Sequence, residues 1–285
     1  MATIDTTTAA YPWRPDVQAF APADVVPNAL ILQCANVVGT VQGDQPSLRV
    51  AYIDDADATF VGEGDTISDS PPDLSEVVVH TGKISQLVKV TDEQFSQEGT
   101  ARELATSVAR SIVYKADEAF IAQVAPTPPA VTPPAGLLNL AGTIDGGELA
   151  TDLDTLADLI AELQGNLANP SAIVLDPKGW SELRKLKLGT DFSASLLGAG
   201  TDDAQPRLLG IPVIVNRHVT PYSGLVIDRN AIAAAVGQVR IANSYDRYFD
   251  SDSVAVRATW RIGWNLVRPE RVGTFTIAAS DDGGS

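Results

Sequence analysis

Side chains able to do chemistry concentrate in one stretch, Asp54 to Glu76, which reads DDADATFVGEGDTISDSPPDLSE and holds eight carboxylates with no Lys or Arg. Asp54, Asp55 and Asp57 supply the hard oxygen ligands that a cation such as Ca2+ collects. The spacing and the glycine of an EF-hand loop are missing, so a solvated or partner-facing cluster is the expected reading and no metal is assigned. Glu63, Asp65, Asp69 and Asp73 invite an acid–base pairing. Gly64 and Pro71-Pro72 instead mark an exposed turn tip, with no pocket around it. An acidic metal-dependent hydrolase built on the Asp54 cluster is the enzymatic alternative, and it is not the expectation.

The remaining reactive groups are few. His80 and His218 lie 138 positions apart, and neither has an acidic or Ser partner at a triad spacing. HExxH, GxxxxGK[ST] and GxSxG are absent, and Gly62-Glu63-Gly64 lacks the third glycine of a dinucleotide fingerprint. The single cysteine, Cys34, excludes an internal disulfide framework and a Cys-based zinc site, and reads as a small buried apolar side chain. No catalytic residue and no cofactor are expected.

The acidic run must be carried by a hairpin. Val77 and Val79, then Ile84, Leu87, Val88 and Val90, alternate as a return strand, which makes the run the outer half and tip of a long β-hairpin. A two-stranded ribbon is marginal in water by itself, so it is disordered or another chain covers it.

Around the hairpin the chain divides readily. Pro12, Pro15, Pro22 and Pro27 forbid a long helix and favour an extended arm, along which Tyr11, Trp13 and Phe20 are costly to leave in water. Asn28 to Val41 is an apolar stretch compatible with a short buried helix or a strand, which periodicity alone does not separate; the reading leans to helix. Thr91 with Gln94, and Thr100 with Glu103, have capping-box spacing. From Thr100 a long helix runs to about Val124, because Leu104, Val108, Ile112, Ala116, Phe120 and Val124 recur every fourth residue.

PTPPAVTPPAG, Pro126 to Gly136, is a stiff connector. Asp145 and Glu148 then read as a cap for a helix marked by Leu149, Leu153, Leu156, Ile160, Leu163 and Leu167. Ile173 to Leu175 is a short buried strand, and Asp176-Pro177 starts a helix with Trp180, Leu183 and Leu186 on its inner face. A Gly/Asp-rich loop, Asp191 to Pro206, precedes short strands at Ile211 to Val215, Gly224 to Ile227 and Ala231 to Val236. Val254 to Ile277 forms two strands broken at Arg268-Pro269.

Composition narrows the function. With 285 residues and 45% hydrophobic content the chain can bury one large core or two modest ones. Its net charge of -16 argues against gripping nucleic acid, and residues 1 to 80 hold 12 acids against 2 bases. No apolar run reaches the roughly 20 residues a membrane span needs.

The order of these segments resembles the major capsid protein of tailed double-stranded DNA bacteriophages, the Hong Kong ninety-seven fold family. Four stretches carry the resemblance in family order: Ile84 to Gln97 (ISQLVKVTDEQFSQ), Val174 to Trp180 (VLDPKGW), Leu208 to Val215 (LLGIPVIV) and Arg268 to Thr276 (RPERVGTFT).

The resemblance implies a mixed α+β fold with an N-arm at 1–43 and an extended E-loop hairpin at 44–83. A P-domain with a long spine helix would occupy 84–135 and 246–279, an A-domain 136–245, and a flexible tail 280–285. It further implies a head protein that self-assembles through hexamers and pentamers into an icosahedral shell around phage DNA, in the virion, after assembly in the bacterial host cytoplasm. Scaffolding, portal and cement proteins are the implied partners, without membrane contact. An encapsulin shell, which shares the fold, is the nearer alternative, disfavoured by the Pro-broken arm.

Two departures follow. The E-loop has no Lys between Arg49 and Lys83, against a family namesake cross-linked through an E-loop lysine, so the joints are expected to be noncovalent. Met1 stands directly before the arm, so a separate scaffolding protein or another route of assembly is expected. The acids Asp54, Asp55, Asp57, Glu63, Asp65, Asp69, Asp73 and Glu76 are expected to meet basic groups of the next subunit. The candidates are Lys83, Lys89, Arg102, Arg110 and Lys115, with Arg257, Arg261, Arg268 and Arg271 on the closing strands.

Overall fold

The computed structural model describes residues 17–54, 60, 62, 73–97, 100–189, 192–195 and 206–279. The first described segment holds β1 (Val17–Phe20), the single-turn helices α1 (Pro22–Val25) and α2 (Leu30–Cys34), and β2 (Asn36–Val41). Then come β3 (Ser47–Asp54), the 19-residue β4 (Asp73–Thr91), α3 (Asp92–Phe95) and the long α4 (Thr100–Ala122). Beyond the proline-rich connector lie β5 (Ile144–Leu149), α5 (Asp154–Gly165), β6 (Ala172–Leu175), α6 (Pro177–Lys185), β7 (Lys187–Gly189) and β8 (Phe192–Ser195). The last strands are β9 (Arg207–Leu208), β10 (Ile211–Val215), β11 (Ser223–Ile227), β12 (Ile232–Gly237), β13 (Val239–Tyr248), β14 (Ser253–Leu266) and β15 (Val272–Ile277).

Two sheets organise this mixed α+β chain. In the first, β14 pairs on one edge with β4, from Ser253↔Thr91 to Gly263↔Thr81. Its other edge takes β13 and then β12, which are extended outward by β1 and β2. The second sheet has the order β5-β15-β11-β6-β10-β9. Sheet membership crosses the limits implied by the resemblance, since β12 and most of β13 fall within 136–245 yet belong to the first sheet, while β15 belongs to the second.

The first core lies where α4 covers the inner face of the first sheet. Val108, Ile112, Ala116 and Phe120 are buried, so the fourfold spacing marks a true apolar stripe, although the helix stops at Ala122 and leaves Val124 exposed. Alternation along β14 sends Ala258, Trp260, Ile262 and Trp264 inward against that stripe. Both indoles keep a hydrogen bond: Trp260 Nε1 donates to the Gly237 carbonyl at 2.9 Å and Trp264 Nε1 to the Ala135 carbonyl at 2.7 Å. Phe120 meets Trp264 edge-to-face, with centroids 5.4 Å apart. A second core packs Leu156, Leu159 and Leu163 of α5 on Ile173, Leu175, Val226 and Phe275.

Three sequence readings are corrected. Asn28 to Val41 is helical only over α2, and Asn36–Val41 is a strand parallel to β12, because long-range pairing overrides a local apolar run. Asp145 and Glu148 cap no helix: both lie on β5, parallel to β15. The following helix therefore begins at Asp154, not near Leu149, and ends before Leu167, which takes φ 61°. By contrast Thr91 caps α3 by accepting from the Gln94 N–H at 3.4 Å, and Asp176 caps α6 by accepting from the Lys178 and Gly179 N–H groups.

One buried carboxylate fastens three parts together. Asp117 of α4 is 6% exposed, and its oxygens accept from the Leu30 N–H at 2.8 Å and from Asn216 Nδ2 at 2.9 Å. Burial pushes its carboxyl up to about 6 from an ordinary 3.8, against the downward pull of these two hydrogen bonds. The neighbouring Cys34 thiol is pushed up to about 12, by burial first and then by the Asp117 charge, and is inert.

Two outcomes follow from the core. Trp260→Ala should cost about 3–5 kcal/mol in urea unfolding. A folded-state value above the unfolded one makes the Asp117 contribution complete below about 3.8 and lost as the pH rises through about 6. Relative to Asp117→Asn, the wild type should therefore gain roughly 2 kcal/mol between pH 7 and pH 4. A difference that is flat with pH would refute this assignment.

Candidate functional site

The hairpin grows out of the first sheet without a break. β3 pairs with the outer part of β4 from Ser47↔His80 to Asp54↔Asp73, and the inner part of β4 continues along β14. Its root is tied down by several side chains. Asn265 Nδ2 donates to the Val78 carbonyl at 2.9 Å, and the Thr81 hydroxyl to the Gln45 carbonyl at 2.6 Å. Arg268 Nη2 donates to the Ile53 carbonyl at 2.9 Å while its guanidinium sits 5.8 Å from the Tyr52 ring centroid.

Further out the ribbon is unburied. Ile53 and Leu74 face each other across the strands at 52% and 79% exposure, and Phe60 is fully exposed. Glu76 pairs with Arg49 of its own hairpin at 3.0 Å, an exposed contact of about 0–1 kcal/mol. Asp54 and Asp73 are register partners at the end of the ladder, and their side chains are outside the described set. Asp55, Asp57, Glu63, Asp65 and Asp69 lie outside the described residues.

The nine basic candidates separate into groups. Lys83, Arg257 and Arg261 share one face because strand alternation turns residues 83, 85, 87 and 89 of β4 and 257, 259 and 261 of β14 away from the α4 side. They line a concavity of about 810 Å³ together with Arg240 of β13 and Asp44. Lys83 stands directly opposite Arg261, and Arg240 opposite Thr259. Arg261 Nη1 is held by the Thr81 carbonyl at 3.4 Å and hydroxyl at 3.0 Å. Leu87, opposite Arg257, adds an apolar contact point at 45% exposure.

The other candidates have work inside their own chain. Lys89 donates to the Ser251 hydroxyl at 2.6 Å and covers the Tyr248 ring; Lys115 pairs with Glu118 on α4. Arg271 Nε donates to the Asn166 carbonyl at 2.9 Å, and Arg268 holds the hairpin root. Arg110 lines a separate cavity of about 380 Å³ beside Asp117, Tyr114 and His218. Arg102 lies on α4, and its side chain is outside the described set. Arg240 is not legible in the sequence because Val239–Tyr248 carries Arg, Asn, Ser or Asp at five of its ten positions, and Val239, Ile241, Tyr245 and Tyr248 do not keep a regular alternation.

Among the described residues the buried carboxylates serve the backbone and assemble no reaction centre. Asp176 and Asp228, both 2% exposed, accept backbone N–H groups: Asp176 those of Gly179 and Tyr222, Asp228 those of Asn169 and Asn230. They are turn and cap acceptors. His218 packs edge-to-face on Tyr114 at 4.3 Å, and burial, then the Arg217 charge, lowers its pKa. Among the described residues no group of three or more His, Cys, Asp or Glu side chains is placed to hold a metal, and no helix is long and apolar enough to cross a membrane.

Comparison with known proteins gives a consistent answer. The model of the phage capsid family matches residues 4–277. The capsid of an empty GTA particle superposes with a TM-score of 0.68 at 18% identity, covering 98% of this chain and 96% of that one. A chain of Microbacterium phage Oxtober96 gives 0.66 at 15% identity, covering 98% and 96%. For a chain of Mycobacterium phage Bobi the score is 0.63 at 16% identity, covering 98% and 100%. At such identities these likenesses show the fold. No curated protein matches the chain.

The root contacts make a local prediction. Arg268→Ala should leave the global unfolding midpoint nearly unchanged while the amides of Tyr52 to Asp54 exchange about tenfold faster. Unaltered protection there in hydrogen-exchange mass spectrometry would show that Arg268 does not hold the ribbon.

Proposed function

Given that this chain belongs to the phage capsid family and is a structural protein of the capsid, we propose that it closes with copies of itself into an icosahedral shell around double-stranded DNA. The joint we propose is noncovalent: the acidic hairpin of one copy lies over the basic concavity of the next. One observation carries this reading. β4 is a single strand with acids at its outer end and the basin at its middle, where Lys83 and Ser85 line it. Ten residues of strand at about 3.3 Å each put Asp73 roughly 33 Å from Lys83 of the same chain.

Complementary charges on one straight element cannot meet each other, but they can meet between copies. Such a contact is head-to-tail, and repetition by rotation gives closed rings. Ile53, Leu74 and Phe60 on the ribbon, with Leu87 opposite Arg257 beside the basin, supply apolar contact. The charges, each worth about 0–1 kcal/mol when exposed, set register and partner choice.

Within this proposal residues 1–43 act as the N-arm and 44–83 as the E-loop. Residues 84–135 and 246–279 form the P-domain, and 136–245 the A-domain. Scaffolding, portal and cement proteins are proposed partners, and assembly in the host cytoplasm is the proposed setting. The net charge of -16 supports a wall that confines DNA without gripping it.

Asp65→Lys with Asp69→Lys should block shell formation seen by electron microscopy, and adding Arg261→Glu should partly restore it. Full-sized shells from the first variant alone would overturn the docking contact. Because no Lys lies between Arg49 and Lys83, shells boiled in SDS should run as monomers. A ladder of covalent oligomers would contradict the noncovalent joint.

A further inference from the structure

The basin carries an inference that rests on one chain alone. Four cations from three adjacent strands, Lys83, Arg240, Arg257 and Arg261, line one concavity, and Asp44 is the acidic side chain among its described lining. None of the four makes an ion pair among the described residues. Lys83 and Arg261 are directly opposed across β4 and β14, an arrangement of like charges that destabilises a sheet unless a counter-charge is present. Arg261 is also preset, since Thr81 fixes its guanidinium from one side and leaves other N–H groups of the fork to point elsewhere.

We infer that this basin binds a small multivalent oxyanion of the linear oligophosphate class. The dimensions select the ligand. Arg257 and Arg261, four residues apart on β14, are separated by about 13 Å along the strand, and β4 and β13 flank them at about 5 Å on either side. One orthophosphate cannot reach groups spread over that area, whereas three linked phosphates offer oxygens to several at once. Arginine forks meet such oxygens in pairs of charge-assisted hydrogen bonds. A long polyanion such as DNA has the same phosphates, but the net charge of -16 repels its remainder. A bound oligophosphate occupies the surface proposed above for the neighbour's acids.

Calorimetry on the purified full chain at fixed ionic strength tests the site, with inorganic tripolyphosphate, orthophosphate and a short single-stranded oligonucleotide as probes. Tripolyphosphate should bind at least about tenfold more tightly than orthophosphate, and Lys83→Ala with Arg240→Ala should weaken it by about tenfold or more. Lys178→Ala, which removes a charge from α6, should change nothing. Arg257→Gln, a milder substitution, should weaken binding about threefold and serves if the double variant fails to fold. Equal affinity for the two phosphates, an equal loss with Lys178→Ala, or oligonucleotide binding as tight as tripolyphosphate would each overturn the inference. None of these readings requires a shell to form, so their failure leaves the docking contact to be judged on its own charge-reversal result.

Discussion

Everything distinctive in this molecule depends on β4 being one unbroken strand. Its inner residues share hydrogen bonds with β14 at the centre of the first sheet, and its outer residues form half of a ribbon that leaves the body. The sheet therefore sets the direction of the ribbon, because a strand transmits orientation along its ladder. The junction is tight as well as continuous: a Cβ on Gly263 would collide with the carbonyl of His80, so the backbones of β14 and β4 approach there as only glycine permits. Arg268, at the passage from β14 towards β15, adds a tie from the link between the two sheets to the ribbon itself.

The acidity of the chain has two separate uses. Buried carboxylates, Asp117, Asp176 and Asp228, are acceptors for backbone or amide N–H groups and hold turns and helix ends in place. These costs of burial are offset locally by the bonds they accept. Of the ribbon acids, Glu76 has a described side chain, and it makes an exposed pair with Arg49 rather than holding a turn or a helix end. Charge that is not needed for folding is available for recognition, and the basin of unpaired cations is its physical complement.

Local signals in the sequence were read well and nonlocal ones poorly. The stripe on α4, the Asp176-Pro177 start of α6 and the break at Arg268-Pro269 are legible because a few neighbouring residues decide them. β2 and β5 are parallel additions whose pairing partners, β12 and β15, lie over a hundred residues away, and no local pattern announces that pairing. β5 even contains Gly146 and Gly147, which weaken any strand signal. The same blindness hid Arg240, so three of the four cations in the basin were legible and the fourth waited for the pairing of β13 with β14.

Sheets with open edges invite strangers. β1 covers the outer edge of β13, and the inner stretch of β4 beyond the reach of β3 has no strand on the edge away from β14 among the described residues. That stretch carries Lys83 and Lys89, the residue type that most discourages a foreign strand from adding to an edge. For a protein of the phage capsid family, whose copies stand side by side, strand addition at such an edge is a hazard. Here the lysines act as gatekeepers, charges on an open edge that disfavour backbone-to-backbone polymerisation of neighbouring copies.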